Sequence, residues 1–223
     1  MATMLAEGRC CMARGILTPL IACFLVVLIV HGGDAAHKRL AGSQPPAARV
    51  VVASGEVWVQ TPTGRRALGL ARYRPWKALW AKVAGQTQLA VGVYKSTRYD
   101  PRPHNALFLY DWHEGQLSPR WLGSRLSKPF TDFAFADMRG TGGTELVSIE
   151  RLADGRFCLV IYRWTGFGFQ GEWQGPPHRN LSRLAARGRV VAAWAEDGAE
   201  RKWIQCGWLG NAYREQPLKE SIR

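Results

Sequence analysis

Acidic residues are the scarce class in this chain of 223 residues. Seventeen Asp and Glu stand against 30 Lys and Arg, a formal net charge of +13. Residues 1–36 carry Glu7, Arg9, Arg14 and Asp34, which cancel, so the excess belongs to the rest of the chain. Such a surface attracts nucleic acid, acidic polysaccharide or anionic lipid. A merely solvated basic surface is the plainer alternative. Histidine is sparse as well, and none of the five forms an H-x-x-x-H pair of the kind that ligates zinc. There is no G-x-S-x-G elbow and no recognisable Ser/His/Asp set, so the common hydrolase signatures are missing. Helical periodicity is missing from the body of the chain, whose apolar runs are short and interrupted by Gly. Cysteine is thin beyond the N-terminus: Cys10, Cys11 and Cys23 lie there, leaving Cys158 and Cys206. That pair reads either as a disulfide of an oxidising compartment or, the form favoured here, as buried free thiols.

What is present begins with an apolar leader. Residues 16–30, "ILTPLIACFLVVLIV", follow Arg9 and Arg14 and precede the small residues Gly33 and Ala35. A basic stretch, an apolar core and a small-residue cleavage position make an export signal. The run is shorter than the roughly 20 residues that span a bilayer comfortably, so a cleaved signal is preferred to a retained signal-anchor. Leu20-Ile21-Ala22-Cys23 also fits a lipobox, with acylation at Cys23. All three readings place the body outside the cytoplasm: periplasmic, at the cell surface or secreted. The organisation read from the sequence is a signal or anchor over 1–36, a Pro-rich linker over 37–48 and a repeat domain over 49–223.

The body repeats itself. "NALFLYDWHEGQLSPRW" (Asn105–Trp121) matches "FCLVIYRWTGFGFQGEW" (Phe157–Trp173), with Tyr110, Trp112 and Trp121 each 52 residues before Tyr162, Trp164 and Trp173. A weaker copy is "KWIQCGWLGNAYREQ" (Lys202–Gln216), in which Trp208 takes the part of Trp164. Upstream, "WKALWAKVAGQTQLAVGV" (76–93) matches "FTDFAFADMRGTGGTELVSIE" (130–150). "LAARGRVVAAWAE" (184–196) is a degraded version, and "VVVASGEVWVQTPTG" (50–64) a partial copy. The segments are rich in Val, Tyr, Phe and Trp and divided by Gly, Asp, Pro and Asn, the signature of strands and hairpins. Leu107, Leu109, Leu159 and Ile161 alternate with residues of similar apolarity, which predicts strands buried on both faces. A unit of roughly 45–50 residues with about four short strands is a propeller blade. The predicted fold is all-β: a β-propeller-like array of about three to four four-stranded blade units, with most Trp in the core.

On these residues the chain resembles the FG-GAP/VCBS-type repeat proteins, whose propellers include those of integrin α chains. Their characteristic loop is D-x-D-G-D-G-x-x-E-L, and "DMRGTGGTEL" lines up with it: Asp137 first, Gly140 and Gly142 as the glycines, then Glu145-Leu146. "WTGFGF" (164–169) resembles the strand-turn-aromatic element that follows. The resemblance covers residues 76–173 well and implies a blade with a calcium loop. Calcium takes six to eight oxygen ligands, several from carboxylates. Here Arg139 and Thr141 stand where carboxylates are needed. The expectation is a degenerate loop that keeps the turn, with Asp137 capping backbone N–H groups, and binds no metal. No cofactor is expected.

Binding residues are sought where aromatic and basic side chains interleave. "YKSTRYDPRPHN" supplies Tyr94, Lys95, Arg98, Tyr99, Arg102 and His104 as candidate ligand-binding residues. That mixture suits sugar rings or stacked bases along a charged backbone, and export disfavours nucleic acid as the natural partner. The expected function is therefore an exported, non-catalytic binding or scaffold protein of the cell envelope, contacting an anionic glycan, surface or protein. Membrane contact is expected only through an N-terminal anchor, and self-association is allowed for. Two alternatives stand beside it: an envelope hydrolase using Asp132 or Asp137, and a structural subunit of a larger envelope complex.

Overall fold

The computed structural model describes residues 48–96, 100–113, 115–123 and 126–218. The expected leader, the linker up to residue 47, and two of the candidate binding residues, Arg98 and Tyr99, lie outside them. Fifteen strands among the described residues form four antiparallel sheets. Sheet 1 holds β1 (Arg49–Ala53), β2 (Glu56–Thr61) and β3 (Gly64–Ala67). Sheet 2 holds β4 (Pro75–Val83), β5 (Gln86–Lys95), β6 (His104–His113) and β7 (Gln116–Leu122). Sheet 3 holds β8 (Phe130–Ala136), β9 (Glu145–Arg151), β10 (Phe157–Trp164) and β11 (Phe169–Gln174). Sheet 4 holds β12 (Asn180–Arg187), β13 (Val190–Asp197), β14 (Glu200–Leu209) and β15 (Ala212–Pro217). Each sheet is a simple meander, and together they make a four-bladed β-propeller.

The internal repeat has a structural counterpart at the outer hairpins of sheets 2, 3 and 4. Trp112 pairs with Leu117, Trp164 with Phe169 and Trp208 with Tyr213, five residues apart in every case. In sheets 2 and 3 a bulge falls at Leu109/Tyr110 and again at Ile161/Tyr162, with Trp121 and Trp173 opposite the first residue of each pair. The extra residues are Arg120 and Glu172. The tryptophan rings turn back over Gly123 and Gly175, where an added Cβ would lie 2.1 Å from Trp121 and 2.7 Å from Trp173. Only a residue without Cβ lets each ring close over the chain there.

Alternation along β6 and β10 explains why the blades stack. Phe108 and Tyr110 face sheet 1, in a cluster with Val57, Leu89, Val91 and Val93. Leu107 and Leu109 face sheet 3 and meet Phe133, Phe135 and Leu146. Likewise Cys158, Val160 and Tyr162 face sheet 2, whereas Leu159 and Ile161 face sheet 4 with Val191, Ala193 and Ile204. Strands apolar on both faces need a neighbour on each side. Trp112 is buried, and Trp164 and Trp208 are packed half-buried at the margins of these clusters. Cys158 and Cys206 are both free and buried, in separate clusters.

Sheet 1 differs from the expected four-stranded unit. Its three strands begin with a β1 that runs antiparallel to β4. The Ala48 carbonyl accepts the Trp80 indole N–H at 2.8 Å, near the end of β4. Glu56, just past the β1–β2 turn, accepts the N–H groups of Leu70 and Ala71 on the approach to β4. By contrast β4, β8 and β12 run parallel to one another, as contacts at both their ends show: Lys77 to Asp132 and Thr144 to Lys82, then Leu184 to Asp132 and Arg189 to Met138. In direction, therefore, sheet 1 matches the second to fourth strands of the other blades. The stretch 50–64 therefore runs from the second-strand position of a blade into the third, rather than from the first.

Each opening strand of sheets 2, 3 and 4 carries a bulge, before Lys77, before Asp132 and between Ser182 and Ala185. Bulges re-aim side chains, and these three converge on one carboxylate. Asp132 accepts Lys77 Nζ at 2.6 Å, its neighbour Phe133 N–H at 2.8 Å and Leu184 N–H at 3.2 Å, so one side chain ties three blades together. Both partners of the ion pair are only about a quarter exposed. Asp132→Ala should lower unfolding free energy by about 2 kcal/mol, because a charged hydrogen-bond acceptor is lost and Lys77 is left unpaired. Urea unfolding of the two proteins checks this, and an unchanged midpoint would refute the role of Asp132 as a tie.

Candidate functional site

The side chains of the candidate binding stretch lie in two separate settings. Tyr94 and Lys95 close β5. Arg102 is almost fully solvent-exposed, 3.7 Å from Asp100, and His104 turns back on its own loop to bond the Arg102 carbonyl at 2.9 Å. Tyr94 and Lys95 instead join residues from a single 3-10 turn, Ala71–Tyr73, that leads into β4. Tyr73 N–H donates to Leu70 O and Arg74 N–H to Ala71 O, both at 2.9 Å. Arg74 then takes a left-handed conformation, φ 51 and ψ 62. Pro75 follows and disfavours the right-handed helical region for the residue before it. A left-handed Arg costs roughly 1 kcal/mol. The β4–β5 pairing continues through it, with Tyr94 N–H on Arg74 O at 3.2 Å.

The result is a cluster in which cations and rings alternate. Arg72 lies 4.7 Å over Tyr73, and Arg74 lies 5.1 Å over Tyr94. Lys95 Nζ stands 5.0 Å from the Phe108 ring and 5.8 Å from Tyr73, which itself meets Phe108 edge-on at 5.3 Å. Beneath them burial pushes the Tyr110 hydroxyl up to about 12, aided by Tyr73 and opposed by the Arg72 charge. Among the described residues no carboxylate is paired with Arg72, Arg74 or Lys95. Stacking holds guanidinium groups in place without neutralising them. Such a surface can hold an anion and lay a ring against tyrosine. Arg72, Tyr73 and Arg74 escaped the sequence reading because they lie 20 to 22 residues before Tyr94. The local signal was the alternation in "ARYRP".

The calcium-type loop is built differently from a metal site. Both oxygens of Asp137 accept backbone N–H groups, from Thr141 at 2.9 Å and Gly142 at 2.8 Å. Gly140 and Gly142 adopt φ of 71 and 83, which the tight turn requires. Glu145 is buried at the start of β9 and accepts Met138 N–H at 2.9 Å. Arg139 swings inward, to Glu172 at 2.5 Å and the Tyr213 hydroxyl at 2.9 Å, with its guanidinium 4.5 Å over Trp208 and its Nε 3.6 Å from Glu145. Arg163 also binds Glu172. A guanidinium thus stands among the carboxylates of this region. With Asp137 already committed to the backbone, these residues do not fit calcium.

Two further ionic sites are structural in geometry. Glu150 is fully buried and receives the hydroxyls of Ser127 at 2.8 Å, Ser148 at 2.9 Å and Tyr162 at 2.5 Å. Burial first, and then Glu150, push the Tyr162 hydroxyl well above its usual range. Burial also lifts the nearby Cys158 thiol to about 11, which makes it a poor nucleophile. His178 is clamped between Asp197 at 2.6 Å on Nδ1 and Glu215 at 2.8 Å on Nε2. Among the described residues no set of three His, Cys, Asp or Glu side chains is grouped to hold a metal ion.

Comparison with known proteins finds no matching family model, no matching curated protein and no matching solved structure.

His178 yields a pH prediction. Burial alone would lower its pKa, but the two carboxylates outweigh burial and raise it. The clamp's contribution is complete below the ordinary histidine value of about 6.5 and is lost as pH rises through the elevated folded value. Stability of the wild-type protein should fall over that window, measured as the urea midpoint against pH. His178→Gln should remove the slope there, and an unchanged slope would refute the assignment.

Proposed function

We propose that this is an exported, non-catalytic β-propeller that binds an anionic partner of the cell envelope, an acidic glycan above all, through the cluster of Arg72, Tyr73, Arg74, Tyr94 and Lys95. The observation that carries this reading is that three cations are held over aromatic rings and left without carboxylate partners. Fixed, uncompensated charge costs stability unless an anion meets it. Tyrosine beside guanidinium suits a sugar ring bearing acidic substituents. Arg102, exposed on the neighbouring loop, extends the positive surface. The export signal read from the sequence supports an envelope glycan over nucleic acid.

The two aspartates of the hydrolase alternative favour the non-catalytic reading. Asp132 is engaged with Lys77 and two backbone N–H groups, and Asp137 with two more. Kinship with the FG-GAP/VCBS repeats is part of the same proposal. It rests on the glycine spacing of the 137–146 loop and on the blade repeat, with the metal function replaced by the Arg139 contacts.

The test is retention of the full-length protein on immobilised polygalacturonate at low and high salt, beside the triple variant R72Q/R74Q/K95Q. Three charge contacts at the surface of about 0.5 kcal/mol each amount to roughly tenfold in affinity. Wild-type retention should be released by salt, and the variant should bind about tenfold more weakly with an unchanged circular dichroism spectrum. Equal retention of the two proteins would refute the site. Salt-resistant capture of an envelope protein instead of glycan would favour the structural-subunit role.

A further inference from the structure

A second place on the molecule has the form of a ligand pocket, and it does not depend on the cluster described above. It is a cavity of about 300 Å³ where the β2–β3 turn of sheet 1 meets the β6–β7 hairpin of sheet 2. That volume is at the lower end for small-molecule sites, enough for one ring with its substituents. Trp112, 9 % exposed, is the apolar side chain that reaches the pocket, packed over the buried Val59. Trp112 packs edge-on against Trp80 at 5.6 Å. Thr61 donates its hydroxyl to the Gly64 carbonyl at 3.1 Å and bonds the Thr63 hydroxyl at 3.0 Å, so both hydroxyls keep acceptor capacity for the O–H groups of a ligand.

The cation of the pocket is Arg66. In the β2–β3 register it stands opposite Val59, so its side chain leaves the sheet on the Val59 face. Its guanidinium passes against the chain at Gly115, where an added Cβ would lie 2.9 Å from Nη1. Arg65, next in sequence, is held to Trp58 at 4.1 Å and contributes only to the rim. Neither arginine has an acidic partner among the described residues.

We propose that this pocket binds a pyranose ring carrying a carboxylate, a uronate, with the carboxylate on Arg66, an apolar ring face against Trp112 and ring hydroxyls on Thr61 and Thr63. Guanidinium pairs with carboxylate through parallel hydrogen bonds. An inorganic anion would leave the apolar wall unused, and an aromatic acid would leave the threonine hydroxyls unused.

The experiment is ligand-observed saturation-transfer NMR on the full-length protein, titrated separately with D-glucuronate, D-glucose and benzoate. Glucuronate should bind saturably and at least about tenfold more tightly than either of the others, because each lacks one of the two recognised features. Arg66→Gln should weaken glucuronate at least about tenfold, with its circular dichroism spectrum unchanged. Arg214→Gln, which removes an exposed charge on β15 of sheet 4, should leave glucuronate binding as it is, which separates the pocket from general surface charge. Glucose or benzoate binding as tightly as glucuronate would overturn the proposal, as would undiminished binding by Arg66→Gln.

Discussion

A sheet that is apolar on both faces cannot stand alone in water, and two of the four sheets here are of that kind. β6 and β10 send alternate residues into different clusters, so sheets 2 and 3 each require a neighbour on either side. Stacking follows from this, since the hydrophobic term is the largest favourable one in folding. Sheets 1 and 4 each place one face in a cluster. Their other faces carry Trp58 beneath Arg65 and the edge-on pair Trp194–Trp203 at 5.5 Å, and among the described residues no fourth buried cluster joins them.

Hydrophobic faces bring blades together without choosing their relative height. Polar contacts do that. Bulges in β4, β8 and β12 deliver Lys77, Asp132 and the Leu184 N–H to one point. On the facing side of sheets 3 and 4, Arg139 reaches Glu172 and Tyr213, and Arg189 bonds the Met138 carbonyl at 3.1 Å. The loop that resembles a calcium site therefore contributes to blade docking through a guanidinium.

Two kinds of cation are distinguished by their partners. Arg139 and Lys77 are matched by carboxylates and belong to the frame. Arg72, Arg74, Lys95 and Arg66 stack on rings or border a cavity without such partners. Both proposed binding surfaces draw on the second kind, and both lie where sheet 1 or the turn after it meets sheet 2. That boundary is also where the blade pattern is broken, since sheet 1 has three strands and its β1 is reversed relative to β4.

Much of the architecture was legible in the residues. The 52-residue offset of Tyr110, Trp112 and Trp121 to Tyr162, Trp164 and Trp173 returns as identical pairing and bulge positions, because side-chain volume and turn chemistry are local and repeat with the sequence. The turn role of Gly140 and Gly142 was legible for the same reason. The direction of β1 was not, since strand polarity within a blade depends on which sheet face finds a partner. Nor could the chain alone show that Arg72 and Arg74 would meet Tyr94, that Arg139 would turn inward to Glu172, or that Arg66 would border a cavity with Trp112. Residue types and local conformation follow from neighbours along the chain. Which charge finds a carboxylate and which stays free is set by contacts between strands distant in sequence, and only the packed sheets decide them.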